Sequence, residues 1–308
     1  MIALVTGGSG CGKSTWAEKL TETLPGENRI YIATMQVYDE ESRQRVRRHR
    51  AQRADKGFVT VECEKDLDSA PVPDGAVVLL EDLVNLAANE MFDGGEVSRI
   101  PDALRRLSRR CRHLVMVTND VFSDGAAYAP SVQEYLRCLA RINRKAAEMA
   151  DSTVEVVYSI PVAVKGQLPQ ILKETEAGKR AGREAGRWGF PDTDRGKTDM
   201  KLYIGGAYQG QEKLAREENP GSEIWPEFQE TVRRAVLEEG KDPREFARDF
   251  ILEHPGAVIV ANEVGSGVVP GEAEGRAFRE AAGRALCVIA QAAEQVTRCV
   301  CGVGTRIK

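Results

Sequence analysis

A chain of 308 residues is long enough for two ordinary domains, each able to bury its own core. Apolar residues at 42% and charged residues at 29% exclude a disordered chain, and a formal charge of −4 gives no compositional reason to expect nucleic-acid binding. The N-terminal run Ile2-Ala3-Leu4-Val5 is too short for a signal peptide, and no later stretch approaches about 18 uninterrupted apolar residues, so a cytoplasmic protein without a membrane span is expected.

That first run suits a buried parallel strand. A glycine-rich turn follows, then a helical pattern from Lys13 to Leu24 and a second strand at Arg29–Thr34. A charged, helix-compatible segment runs from Asp39 to about Gln52. Strands are expected at Phe58–Glu62, Ala76–Glu81, Leu114–Thr118 and Val154–Tyr158, with helices across Leu83–Phe92 and Val132–Ala150. Strands alternating with helices predict a three-layer α/β domain, like a P-loop NTPase, on a mostly parallel sheet over residues 1–166. Residues 167–200, rich in charge and glycine, read as a linker. A new strand then begins at Leu202-Tyr203-Ile204.

That second start reads as part of an internal repeat, the alternative being two similar strand-helix-strand units by chance. Asn119 lies over Asn262 and Lys165 over Lys308 at one ungapped offset of 143 residues, and VTNDV falls on VANEV. At the other end TGGSGCGKS, residues 6–14, lies over IGGAYQGQE, residues 204–212, at an offset of 198. Residues 201–308 therefore read as a shorter, degenerate α/β copy, with roughly 55 residues lost from its middle.

Gly7-Gly8-Ser9-Gly10-Cys11-Gly12-Lys13-Ser14 fits the P-loop pattern G-x-x-x-x-G-K-[ST] at every position, after a strand and opening a helix. Glycines let backbone N–H groups converge on phosphate, and the helix N-terminus, with Thr15 in its first turn, adds positive potential. Lys13 is expected at the β- and γ-phosphates, and the Ser14 hydroxyl on Mg²⁺. Val77–Asp82 is an apolar strand ending in acids. Glu81, before Asp82, is a candidate Mg²⁺ ligand, although an acid in this position also serves as a helix N-cap. Arg43, Arg45, Arg47, Arg48, Arg50 and Arg53 crowd around His49. Such a run reads either as a solvated basic helix face or as a cationic segment over a triphosphate, with His49 as nucleophile or general base. His113 and His254 sit just before strands and read as structural. The seven cysteines are odd in number and irregularly spaced, with no Cys-x-x-Cys pair, which argues against a disulfide framework or a zinc site.

The pieces LVTGGSGCGKS with WAEKL, YIATMQ, RVRRHR, VTVEC, LLEDLVNLAANEMF, NEVGSGVVP with GRAFREAAGR, and the terminal VGTRIK resemble the bifunctional adenosylcobinamide kinase/adenosylcobinamide-phosphate guanylyltransferase family of cobalamin biosynthesis. They cover most of residues 1–165 and 200–308. The resemblance implies a kinase and nucleotidyltransferase that uses ATP or GTP with Mg²⁺ to phosphorylate a corrinoid. It further implies attachment of GMP from GTP through a guanylyl-histidine, which falls on His49; a preceding histidine common in the family is Arg48 here.

The doubling departs from that family. The first copy keeps the P-loop and His49, but reads Asn119-Asp120-Val121-Phe122-Ser123-Asp124-Gly125 where the family has a glycine-rich loop. The second keeps Asn262-Glu263-Val264-Gly265-Ser266-Gly267-Val268-Val269-Pro270, but has Gln211 and Glu212 in place of Lys13 and Ser14. It also keeps Arg276, Phe278, Arg279 and Gly283, where the first copy has Gln133, Tyr135, Leu136 and Ala140. Complementary decay predicts a composite site, with Asn262, Glu263, Gly265 and Gly267 facing the first P-loop across a pseudo-twofold or pseudo-threefold interface; the alternative reading is a second copy that serves only for folding or oligomerisation. A homo-oligomer is expected. A P-loop kinase without GMP transfer is the competing reading, and a nucleotide-binding regulatory protein is disfavoured by the intact Lys13, Ser14 and His49.

Overall fold

The computed structural model describes residues 1–36, 56–123, 128–169 and 198–308. The expected 39–52 segment with His49 and its arginines, residues 170–197 of the linker, and Asp124 and Gly125 lie outside the described residues.

The first half is built on strands β1 (Ile2–Thr6), β2 (Arg29–Ala33), β3 (Phe58–Glu62), β4 (Val77–Glu81), β5 (His113–Val117), β6 (Ser152–Val157) and β7 (Ile160–Lys165). They form one sheet in the order β3-β2-β4-β5-β1-β6-β7, parallel except where β7 returns against β6. Because successive strand residues point to opposite faces, each apolar strand feeds two cores. Ile32, Leu80, Leu114 and Met116 pack on helices α2 (Leu83–Phe92), α3 (Ile100–Arg110) and α4 (Pro130–Met149). Their neighbours Tyr31, Leu79, Val115 and Val117 pack on Trp16, Ala17 and Leu20 of α1 (Lys13–Thr23). This is the expected three-layer arrangement. Helix α3 was not expected, although Ile100, Ala103, Leu104 and Leu107 form a buried stripe and Pro101 opens it.

The second half repeats the plan on β8 (Lys201–Gly205), β9 (Ile224–Trp225), β10 (Val258–Asn262), β11 (Gln295–Val300) and β12 (Val303–Arg306), in the order β12-β11-β8-β10-β9. Helix α5 (Gln211–Glu218) lies on one face, against Tyr203 and Val260; α6 (Phe228–Arg233), α7 (Pro243–Glu253) and α8 (Ala273–Ala292) cover the other. Helices α6 and α7 were also missed in the sequence.

Much of the two halves corresponds, although β2 and β3 have no counterpart in the five-stranded sheet. Helix α4 and helix α8 are offset by 143 residues at both ends, as are β6 and β11. Strand β1 lies between β5 and β6 just as β8 lies between β10 and β11. Beside β10, the place that β4 holds beside β5 is taken by the two-residue β9.

Between β6 and β7 the chain reverses through Tyr158 and Ser159, at φ 44° and 69°, a two-residue turn with both central residues left-handed. Val157 and Tyr158 are buried in the core of the second half, together with Leu202, Phe250 and Leu286. The halves therefore share apolar packing. Val157→Asp would place a carboxylate in that shared core, and the unfolding free energy in urea should fall by roughly 3–5 kcal/mol. A loss below about 1 kcal/mol would mean that the site opens to solvent.

Candidate functional site

The P-loop leaves β1 at Gly7 and enters α1 at Lys13. Gly10 and Gly12 sit at φ 74° and 90°, a left-handed backbone suited to glycine. A β-carbon on Gly12 would also meet the Ser159 hydroxyl at 2.6 Å. Lys13 is buried, and its Nζ donates to the Gly8 carbonyl at 3.2 Å. The Ser14 hydroxyl, in the first turn of α1, donates to Oε1 of Glu81 at the end of β4. The other carboxylate oxygen, Oε2 of Glu81, is buried without a hydrogen-bond partner. A hydroxyl beside a carboxylate with an orphaned oxygen is a donor set that fits Mg²⁺. Among the described residues no group of three His, Cys, Asp or Glu side chains could hold a metal ion.

Asp82 caps α2, its Oδ1 accepting from the Asn85 amide at 2.7 Å. Burial pushes its carboxyl up to about 6; the Asn85 amide opposes this, the Glu81 charge adds to it, and Lys13 opposes it. The backbone here is tied to β2 through Thr34, whose hydroxyl donates to the Asp82 carbonyl at 2.8 Å and accepts from its amide at 2.7 Å. Buried Asn89 donates to the carbonyls of Thr34 and Glu64 at 2.8 and 2.9 Å. Thr34 and Asn89 fall within YIATMQ and LVNLAANEMF, but their part in holding the acidic strand end was not read from the sequence.

The loop at 262–270 lies directly against the P-loop of the same chain. The Ser9 amide donates to the Gly265 carbonyl at 2.8 Å. A β-carbon on Gly265 would stand 2.6 Å from the Ser9 carbonyl oxygen, and one on Gly8 would stand 3.0 Å from the Gly265 carbonyl carbon. The Gly267 amide donates to the Asp120 carbonyl at 3.1 Å, and the Ser266 hydroxyl to Oδ2 of Asp120 at 3.3 Å. Arg279 of α8 secures the loop by donating to the carbonyls of Gly267 and Val268 at 3.1 and 3.0 Å. Asp120, Glu155, Glu263 and Ser266 line a small polar recess beside Gly8 and Ser9. Arg298 donates to Glu155 at 2.5 Å and stands 3.7 Å from Glu263. Burial raises the Glu263 carboxyl, and Arg298 works against that rise.

The corresponding turn of the second half lacks this chemistry. Gln211 occupies the place of Lys13 and donates to Gly206 at 3.1 Å, as Lys13 does to Gly8, and also to Asn262 at 2.6 Å. Glu212, in place of Ser14, pairs with Arg216 at 2.7 Å. Tyr208, in place of Gly10, is fully exposed. The described contacts of this turn are thus with its own half, Gln211 with Gly206 and Asn262 and Glu212 with Arg216. His113 pairs with the N-terminal amine at 2.9 Å and His254 packs on Trp225 and Phe250, away from the P-loop. All seven cysteines are free, and no described helix is long and apolar enough to cross a membrane.

The family model described as cobinamide kinase / cobinamide phosphate guanyltransferase matches residues 3–164 and 240–307. A bifunctional adenosylcobalamin biosynthesis protein of Salmonella typhimurium (strain LT2) is 33% identical over 187 residues, an alignment covering 54% of this chain and 100% of that protein. The protein of the same description from Escherichia coli (strain K12) is 31% identical over 186 residues, again covering 54% of this chain and 100% of the relative.

Asp82 makes a pH-dependent prediction. Its folded pKa of about 6 lies above the unfolded value near 4, so the native state holds this proton more tightly. The resulting penalty is absent below about pH 4, grows as pH rises towards about 6, and is complete above that. Asp82→Asn keeps a capping acceptor but has no charge to bury. Its stability relative to the wild type, measured by urea unfolding without nucleotide or divalent ions, should rise across that window and then level off. A difference that stays flat from pH 4 to about 7 would contradict the assignment.

Proposed function

The chain belongs to the cobinamide kinase / cobinamide phosphate guanyltransferase family, and from that premise we propose that it phosphorylates a cobinamide-type corrinoid and then joins GMP from GTP to the product. The observation that carries the reading is the P-loop itself, with Lys13 buried at its end and Ser14 held against Glu81. In the first reaction a corrinoid hydroxyl attacks the γ-phosphorus of ATP or GTP, the nucleoside diphosphate leaves, and the hydroxyl proton is released. Lys13 offsets the charge gathering on the β- and γ-oxygens, and amides at the N-terminus of α1 orient the phosphates. Ser14 and Glu81 would hold Mg²⁺, which when bound neutralises phosphate charge.

In the second reaction an imidazole nitrogen of His49 attacks the α-phosphorus of GTP and pyrophosphate leaves. A phosphate oxygen of the phosphorylated corrinoid then displaces the histidine, forming the diphosphate bond and freeing the imidazole. The arginines around His49 would offset charge in both displacements.

The same proposal treats residues 1–166 as the catalytic copy and 201–308 as a degenerate duplicate that completes its site. Support comes from the matched strand orders and from the packing of Gly265 on Ser9. Asn262, Glu263, Gly265 and Gly267 belong to the composite site in this reading.

Lys13→Ala should abolish both reactions in a folded protein, since losing a charge-assisted contact of this kind costs about 2–4 kcal/mol of transition-state stabilisation. Near-normal turnover would refute the phosphate assignment. His49→Ala separates the chemistries. After incubation with α-labelled GTP the wild type should carry acid-labile label and the variant none, while the variant still phosphorylates the corrinoid. Absence of label on the wild type would favour a kinase without GMP transfer, and label retained on the variant would identify another acceptor.

A further inference from the structure

Glycine inside a helix costs about 1 kcal/mol relative to alanine, yet α8 has Gly283 in its buried middle. The contact there gives the reason. A β-carbon on Gly283 would stand 2.8 Å from both the Cα and the carbonyl carbon of Gly10, and 2.9 Å from its oxygen. From the other side, a β-carbon on Gly10 would lie 3.1 Å from the Gly283 Cα and 3.4 Å from the Arg279 carbonyl oxygen. One turn further along α8, the Cys287 thiol donates to the Gly10 carbonyl at 3.4 Å. The P-loop backbone is thus seated on a helix whose Cys287 lies 277 residues away in sequence, at the residue whose φ of 74° starts the turn into Lys13. At the matching place in α4 stands Ala140, which is exposed.

We propose that Gly283 and Cys287 are positioning residues for the nucleoside triphosphate. They act through Gly10, fixing the peptide orientation from which the amides of Cys11 to Ser14 follow. The inference rests on the reading that this loop binds triphosphate, and it goes beyond it by making the loop's geometry depend on α8. An α8 that cannot approach Gly10 would leave Lys13 and Ser14 in the chain but misplaced.

The test is equilibrium titration of the full-length chain with a fluorescent, non-hydrolysable GTP analogue and Mg²⁺, alongside thermal unfolding. Gly283→Ala should raise Kd by about 10- to 100-fold, the scale on which small misplacements act. Gly256→Ala, where an added β-carbon meets nothing within 4 Å, should leave Kd unchanged. A purely structural role would lower the melting temperature and leave the Kd of the folded fraction as in the wild type, and that result would overturn the proposal. Should Gly283→Ala not fold, Cys287→Ala introduces no clash and should weaken binding about two- to threefold; an unchanged Kd there would also overturn it. A wild-type chain that binds no triphosphate would sink both this inference and the reading beneath it. A wild type that binds triphosphate with a Gly283-dependent Kd, yet transfers nothing to a corrinoid, would support this inference and count against the proposed activity.

Discussion

Two stretches of backbone can touch as closely as the P-loop and the second half do only where neither carries a β-carbon. Gly8 meets Gly265 and Gly10 meets Gly283, each at a separation that an added side-chain carbon would bring to about 3 Å or less. A P-loop works by aiming several amides at one anion, so its turn must be held without filling the space in front of it. Here the holding comes from surrounding backbone. The Ser159 amide donates to the Cys11 carbonyl at 2.7 Å from the β6–β7 turn, Gly265 accepts from Ser9, and α8 meets Gly10. Much of the shared apolar packing, with Val157 and Tyr158 in the core of the second half, keeps these supports in register.

The polar edge of this contact follows from the same closeness. Glu155 of β6 and Glu263 after β10 are brought near each other and near Asp120, so carboxylates share a partly buried corner. Removing one partner of a buried ion pair costs more than the pair contributes, so Arg298 between Glu155 and Glu263 is better regarded as compensation for that closeness than as the force that joins the halves. The apolar and glycine contacts supply the adhesion.

Much of the fold could be read from the sequence because it is written in continuous apolar runs. Ile2–Val5, Val77–Leu80 and Leu114–Val117 each read as buried parallel strands, and each is one. The offset of 143 residues that sets Asn119 against Asn262 in the sequence also separates α4 from α8 at both ends. What was missed has physical reasons. Helix α3 carries four arginines among its eleven residues, so its charge hid a short apolar stripe. Helices α6 and α7 pack an aromatic cluster of Phe228, Phe246 and Phe250 whose spacing spans two elements and a π-helical turn, so no single periodic window shows it. In the candidate site, Lys13 and Ser14 are marked by the P-loop pattern and Glu81 by the acidic end of an apolar strand, and Ser14 donates to Glu81. Thr34, Asn89 and Ser159 act through backbone groups far away in sequence, and no local pattern marks such bonds.

Corresponding surfaces of the two halves differ in what they can pack against. Gly10, Val157 and Ile160 of the first half face α8 and its surroundings; their counterparts Tyr208, Val300 and Val303 are exposed. On the opposite surface, Gly283 and Cys287 of α8 correspond to exposed Ala140 and Arg144 of α4. A second contact of the same geometry would have to seat a tyrosine ring against an alanine β-carbon and bury an arginine where a thiol now sits, and both changes oppose the close backbone approach. The close backbone approach made at Gly10 and Gly283 therefore has no equivalent between Tyr208 and Ala140. Gln211 carries the same logic to the phosphate turn. Its amide makes the same bond to the loop carbonyl as the lysine does, without the charge. What remains is a chain with one equipped P-loop and a resident second half whose glycines, not its own phosphate turn, are matched to it.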